Sequence, residues 1–327
     1  MTEWLVEAGI GEERAVLVDD GAIVEARIEP DGRIPAGTIL EARLTDVGRH
    51  GRNGVARDGA GAEYLLPSVP RDITQGAALN IEVSRPSIPG PEPWKRPLAR
   101  ATREMPSGPR SLAERLELGG YPVRTLSLPA TKDELATVGW NDLLEEVRAG
   151  HVDFAGGSLG IFPTPAMTLI DIDGHLPPAE LAIAGARASA GAIRRLDLGG
   201  SIGLDLPTVA GKDSRQKAAN AVDGVLPQPF ERTAVNGFGF LQIVRPRQRA
   251  SLVELAQDRA GFEARALLRR AAFEGPGAKR LVAAPAVIAL IEANAAGVEV
   301  LAAQIGGAVT LRSDPSLPIH GAYAEKP

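Results

Sequence analysis

The sequence predicts a multidomain α/β protein. Three observations carry that prediction. The first 85 residues break into short alternating apolar runs separated by Gly-containing turns. Residues 166–207 read as one strand–helix–strand block. The chain has 327 residues and is 44% hydrophobic, ample for several buried cores.

In order along the chain, WLVEAG, AVLVDDG and IVEARIEPDG read as strands closed by Asp-Gly pairs. Residues 36–85 form a second unit. TILEARLTDVG, GVARDG, EYLLPS and LNIEVSRP are short β segments with Gly turns between them, a spacing that suits a small barrel of OB type. From about residue 85 to residue 110 the chain is rich in Pro and Arg. It has the composition of a linker, yet it is basic and carries Trp94 beside Lys95 and Arg96. Residues 111–117 and 132–148 read as helices, with Ser111 and Thr131 as candidate N-caps. Glu134 stands at capping-box spacing from Thr131.

AMTLIDID (166–173) is an apolar strand ending in acids. The Ala-rich helix of 178–198 follows, with Ile183, Ala186, Ala190 and Ile193 on one stripe. Gly199-Gly200 stops it, and SIGLDLP (201–207) is the next strand, a parallel neighbour of the first. Residues 212–222 read as helix, 237–246 as strand and 252–273 as helix. The tail reads as two helices, 285–296 and 298–305, and a strand, 308–312.

Composition excludes several chemistries. With no Cys there is no disulfide, thiolate zinc site or Cys nucleophile. His50, His151, His175 and His320 are scattered and build no zinc site. No apolar stretch approaches 18 residues and the opening MTEWLVEAG is acidic, so the expectation is a soluble cytoplasmic protein with no membrane partner. The net charge of −5 hides an asymmetry. Residues 1–34 hold nine acids and three Arg; residues 85–124 hold eight basic residues and four acids; residues 212–249 hold seven and three. Such unevenness fits an anionic partner and fits ordinary surface solvation equally.

The candidate chemistry lies in three acids. Asp171 and Asp173 are two apart at a strand end, so they share a face; Asp205 closes the next strand. Parallel strands open their carboxyl ends at one edge, and neighbours lie about 4.8 Å apart. Asp171 and Asp205 are therefore placed to share a hard cation such as Mg²⁺, which relieves carboxylate repulsion. Strand-end Asp residues also cap loops, so the triplet alone does not decide. Arg245, Arg247 and Arg249 on one side, and Lys212, Arg215 and Lys217 on the other, are candidates to hold phosphates, or solvated cations at element ends. Tyr64 is an aromatic suited to stacking a base on a barrel face, or to filling the barrel core.

These residues carry a resemblance. GGSLGIFPTPAMTLIDID (156–173) resembles, without a gap, the segment of the ribonuclease E/G family that leads into its first metal-binding Asp. Leu196-Asp197-Leu198-Gly199-Gly200 followed by SIGLDL is similar to the family's helix end and second metal strand. GFGFLQIVRPR (237–247) and the C-terminal RLVAAPAVIALIEANAAGVEVLAAQIGGAVTLRSDP continue it, and 1–67 resembles the family's opening strands and S1-like barrel.

The resemblance implies an RNase H-like remnant (1–35, with 86–150 as basic linker and 5′-sensor segment) and an inserted S1-like OB barrel (36–85). A DNase I-like catalytic domain (151–275) and a small α/β cap (276–327) follow. It implies a Mg²⁺-dependent endoribonuclease, with Mn²⁺ as a substitute ion, acting on single-stranded RNA in RNA processing or decay and leaving 5′-phosphate and 3′-hydroxyl ends. Asp171 and Asp205 would be the metal ligands; Asp173 stands where the family has Asn. Tyr64 and Lys95 would contact RNA, and Arg124 and Thr125, in Val123-Arg124-Thr125, would hold a 5′-monophosphate. Lys212, Arg245 and Arg247 would contact RNA phosphates.

Departures from the family pattern are equally concrete. Only 46 positions separate Thr125 from Asp171, so most of the RNase H-like insertion is missing. The family Arg completing the 5′ sensor falls at Gly237. With no Cys, any homodimer lacks the family's zinc link. The alternative reading is a non-catalytic RNA- or ribosome-binding descendant of the same family.

Overall fold

The computed structural model describes residues 1–89 and 95–327; Trp94 lies outside the described residues. The chain is a mixed α/β protein with several sheets and, among the described residues, nine helices. The strands β1 (Glu3–Ala8), β2 (Glu12–Asp19) and β3 (Ala22–Pro30) open the chain. Next come β4 (Ile39–Asp46), β5 (Arg52–Asp58), β6 (Glu63–Ser68), β7 (Ala78–Arg85) and β8 (Leu98–Thr102). Then follow α1 (Leu112–Glu117), β9 (Val123–Leu126), α2 (Glu134–Thr137), α3 (Trp140–Ala149), β10 (His151–Phe154), β11 (Gly157–Pro163) and β12 (Thr168–Gly174). The middle continues with α4 (Pro178–Arg195), β13 (Gly200–Asp205), α5 (Lys212–Asp223), β14 (Glu231–Arg232) and β15 (Phe240–Arg245). The tail holds α6 (Leu252–Leu255), α7 (Arg259–Phe273), β16 (Lys279–Ala283), α8 (Pro285–Ala293), α9 (Ala295–Ile305), β17 (Val309–Ser313) and β18 (Tyr323–Glu325). Among the described residues no single helix is long and apolar enough to cross a membrane.

The chain divides into two compact units. The first comprises Met1–Asp31, Arg115–His151 and Leu252–Pro327. Its four-stranded sheet has the order β3-β2-β1-β9, with β9 parallel to β1 and the other pairs antiparallel. Asp20 and Gly21 both take positive φ, 48° and 80°, the geometry a two-residue hairpin turn demands. The helical run expected over 132–148 is two helices, α2 and α3. Gly139, at φ 98°, separates them, and the cap of α2 is Asp133, which accepts from the Ala136 N–H at 2.8 Å. The reciprocal capping box expected at Thr131 is instead at Ser111. Its Oγ accepts from the Glu114 N–H at 3.3 Å, while Glu114 accepts from the Ser111 N–H at 2.7 Å. Helix α3 buries Trp140, Leu143, Leu144 and Val147, one helical face.

An ion network lies inside this unit. Glu7 and Arg14 are both 1% exposed and bonded at 2.8 Å; Arg14 also bonds Glu12 at 2.7 Å. Arg269 of α7 forks onto both Glu7 and Asp133, and Arg265 reaches Glu12 at 2.7 Å. Leu252–Pro327 thus belongs to the same compact unit as the N-terminal sheet.

The second unit comprises Gly32–Glu114 and Val152–Ser251. Five short strands close into a barrel of order β4-β5-β6-β8-β7 around Leu44, Tyr64, Leu66, Ile81 and Val83. Residues beyond the barrel form a six-stranded sheet, β10-β11-β12-β13-β15-β14. Strands β12 and β13 are parallel and are joined through α4, as expected for a strand–helix–strand block. Helix α4 packs on β11, β12 and α5 through Leu181, Ala182, Gly185, Ala186, Ala190 and Ile193; Ile183 stands off that stripe, half-buried.

Candidate catalytic site

The strand β12 alternates strictly. Thr168, Ile170 and Ile172 are buried, so Leu169, Asp171 and Asp173 fall on the other face. In β13, Ile202 and Leu204 are buried and Asp205 ends the strand exposed. The parallel register sets Asp171 directly against Asp205. Gly160 of β11 pairs with Asp171 on one side, and Phe240 of β15 pairs with Asp205 on the other. One row across the sheet therefore reads Gly160, Asp171, Asp205, Phe240.

Burial pushes the Asp171 carboxyl above its ordinary value, and the charges of Asp173 and Asp205 push it the same way, against a bond from the Ile172 backbone. Among the described residues none of the three acids is ion-paired to a Lys or Arg. Among the described residues no group of three or more His, Cys, Asp or Glu side chains is arranged to hold a metal. The donor set on offer is the Asp171–Asp205 pair, and it fits a hard ion that takes one or two carboxylates and otherwise keeps its waters.

Two of the expected phosphate contacts lie elsewhere. Because β15 runs antiparallel to β13, Arg245 pairs with Gly200 at the far end of that strand. Five residues of strand, about 17 Å, separate it from the row of Asp205. Arg245 donates to the carbonyls of Leu198, at 2.9 Å, and Ile193, at 3.4 Å, and Arg249 pairs with Asp197 at 3.1 Å. Arg247 lies beside Gly199, whose added Cβ would stand 3.2 Å from its Cα. These arginines hold the C-terminal end of α4, where carbonyls attract cations. Arg245 and Arg247 are thereby corrected as partners of the acid pair.

Lys212 is different: it begins α5, six residues of loop after Asp205, and is exposed. Lys217 is tied to Asp213 at 2.9 Å, and Arg215 donates to the Val209 carbonyl at 3.3 Å.

Tyr64 is also corrected. It is 2% exposed in the barrel core, its hydroxyl donates to Asp58 at 3.1 Å, and burial together with that carboxylate pushes its pKa up to about 12. Its ring has no face for a base. Lys95 is exposed, next to Arg96, which pairs with Glu63 at 2.7 Å. Arg124 and Thr125 lie on β9, an edge strand of the first unit, both exposed. The Arg124 guanidinium bonds Glu134 at 2.9 Å and Glu3 at 3.5 Å, and the Glu134 bond holds it charged beyond its ordinary range. A phosphate there has two carboxylates to displace.

Sequence reasoning passed over the two phenylalanines that share the acids' face. Phe162 is 53% exposed, an unusual state for a large apolar side chain in a strand. Its signal was the spacing Gly160-x-Phe162 in a strand whose alternate residues, Leu159 and Ile161, are core. Neither a model of any protein family nor any curated protein sequence matches this chain.

Proposed function

We propose that this protein is a divalent-cation-dependent endoribonuclease acting on single-stranded RNA, a compact relative of the ribonuclease E/G family. The observation that carries the reading is the in-register pair Asp171–Asp205 toward the carboxyl ends of adjacent parallel strands, ion-paired to no Lys or Arg among the described residues. Two further features support it. The ungapped 156–173 segment falls on β11 and β12, ending on the acids. The barrel order, first-second-third-fifth-fourth with its third and fifth strands parallel, is compatible with an OB-type module.

Asp171 and Asp205 would hold Mg²⁺ or Mn²⁺. When bound, such an ion supplies Lewis-acid stabilisation of charge developing on a phosphodiester and activates water. The rest falls to the chain. The sheet fixes the two carboxylates by backbone register rather than by flexible loops, so they are positioned before substrate arrives. Asp173, exposed one step further along β12, adds negative charge at the mouth. Lys212, exposed at the start of α5, would hold a neighbouring phosphate of the same strand as a point charge.

The test is cleavage of an unstructured RNA by the purified chain. Cutting is expected with Mg²⁺ or Mn²⁺ and not with EDTA, and Asp171→Asn and Asp205→Asn are each expected to lose about 10³-fold. Equal cleavage by both variants would identify a contaminating nuclease and overturn the proposal. Salt-sensitive RNA binding without metal-dependent cutting would overturn it in favour of a non-catalytic RNA-binding protein.

A further inference from the structure

Two aromatic rings lie beside the acid pair on its own face of the sheet. On one flank, a Cβ built on Gly160 would stand 2.8 Å from Cε2 of Phe162 and 3.9 Å from the Asp171 Cβ. The Phe162 ring therefore lies across Gly160, in the same row as Asp171 and immediately beside it. On the other flank, a Cβ on Gly203 would stand 2.6 Å from Cζ of Phe240, the cross-strand partner of Asp205. Both glycines serve the same end: each leaves a hollow in the sheet in which a ring rests. Phe240 is half-buried and Phe162 mostly open to water. The opposite face of these strands is core, and α4 packs there, its Gly185 against Ile172.

The Phe162 ring lies over Gly160 of β11 and the Phe240 ring over Gly203 of β13, two strand spacings or about 10 Å apart across the sheet, with Asp171 and Asp205 beside them. Two rings beside one pair of carboxylates suit the two nucleosides that adjoin a single phosphate. Unpaired bases stack on aromatic side chains carried by open sheet faces, and they do so with little regard to base identity.

We propose that Phe162 and Phe240 stack the two nucleobases that flank the phosphate held at Asp171 and Asp205. The inference rests on the endoribonuclease reading and adds to it a substrate requirement. The bases on both sides of the cut must be unpaired and present, and their identity matters little. Duplex RNA is refused because its bases are already stacked on one another.

The test uses the full chain and an unstructured twelve-nucleotide RNA with a mapped cut site, made intact or with an abasic position on either side. Wild-type protein is expected to lose about tenfold in kcat/KM for each missing base. Phe162→Leu is expected to lose a similar factor on intact RNA and nothing further from one of the two abasic substrates. Phe240→Leu behaves the same way with the other, and Phe162→Tyr restores the wild-type pattern. Leucine variants that cut intact RNA like wild type, or that still respond to both abasic positions, sink the stacking proposal while leaving the nuclease intact. A second readout does not depend on cutting: the RNA carrying 2-aminopurine at the flanking positions, bound in EDTA. Quenching by wild type that disappears in the leucine variants supports stacking even if cleavage fails; no quenching by wild type refutes it. Should Phe162→Lys convert a dimer into a monomer with RNA affinity unchanged, the face is a contact between two copies of this chain, and the proposal falls.

Discussion

Two acidic clusters in this molecule use the same side chains to opposite ends. In the first unit Glu7, Glu12 and Asp133 meet three guanidinium groups, Arg14, Arg265 and Arg269, and every acid is bonded. In the second unit Asp171, Asp173 and Asp205 meet one another and, among the described residues, pair with no Lys or Arg. Burial is the first influence on Asp133 and on Asp171 alike, and it pushes both carboxyls up. For Asp133 the bonds from Arg269 and the Ala136 N–H outweigh it, and the group ends below its ordinary value. For Asp171 the neighbouring charges add to it, and the group ends above. The difference lies in what surrounds the acids: paired with guanidinium groups inside, they join distant segments; gathered at a strand edge, they raise one another's cost of ionisation, as the upward shift of Asp171 shows.

The largest expected break in that comparison is a crossed pair of substitutions. Asp205→Asn removes the second carboxylate of the proposed metal pair and, if the proposed nuclease activity holds, about 10³-fold of cleavage. It also removes a repulsion, so the metal-free melting temperature is expected to hold or rise. Glu7→Gln does the reverse. It leaves Arg14 and Arg269 each with one remaining carboxylate and destabilises the fold by about 3 kcal/mol. Denaturant titration reads this loss, and cleavage per folded molecule is unchanged. If Asp205→Asn proves as destabilising as Glu7→Gln, the two clusters are not different in kind.

That contrast also marks what the sequence could disclose. The acids of β12 and β13 were legible because a strand–helix–strand block returns its second strand parallel to the first, which opens both acid-bearing ends at one edge of the sheet. The Glu7 network was not. Its partners lie more than 250 positions away in α7, and periodicity holds no information about contacts at that range. The direction of β15 was equally invisible. An apolar strand followed by arginines reads the same either way, yet antiparallel pairing carries those arginines to the far end of the sheet. For Tyr64, alternation separates it from Leu65 but does not say which of the two faces the inside of a closed barrel; the barrel interior took the tyrosine.

A smaller effect sharpens the same contrast through pH. Asp133 titrates below its ordinary value in the folded chain, so its contribution is full above the unfolded pKa of about 3.8 and is lost as pH falls through the lower folded value. Asp133→Asn keeps an N-cap side chain while losing the charge. It is expected to cost about 1–3 kcal/mol at pH 7. The gap from wild type should narrow progressively below pH 3.8, as the carboxyl takes up its proton first in the unfolded chain and, at lower pH still, in the folded one. Denaturant midpoints measured from pH 7 down to pH 3 check both; a gap that stays constant across that range would show that the ion network is not what Asp133 contributes.

The smallest expected effect concerns Arg124, which repeats the comparison in a single residue. It stands where the family resemblance would put a 5′-phosphate contact, but its guanidinium is already committed to Glu3 and Glu134, as the arginines of the interior network are committed to theirs. An arginine so paired offers a phosphate only what is left after two carboxylates are displaced. The third member of such a sensor is Gly237, which has no side chain to supply. Cleavage rates on 5′-monophosphorylated and 5′-hydroxyl RNA are therefore expected to differ by less than about threefold, an exposed-pair effect of well under 1 kcal/mol. Arg124→Ala should leave that ratio unchanged. The converse substitution is the sharper probe: Glu3→Gln with Glu134→Gln removes both competing charges, and a monophosphate preference that appears only then would show that the neighbouring carboxylates, rather than the missing side chain at Gly237, keep this arginine from reading the end of an RNA.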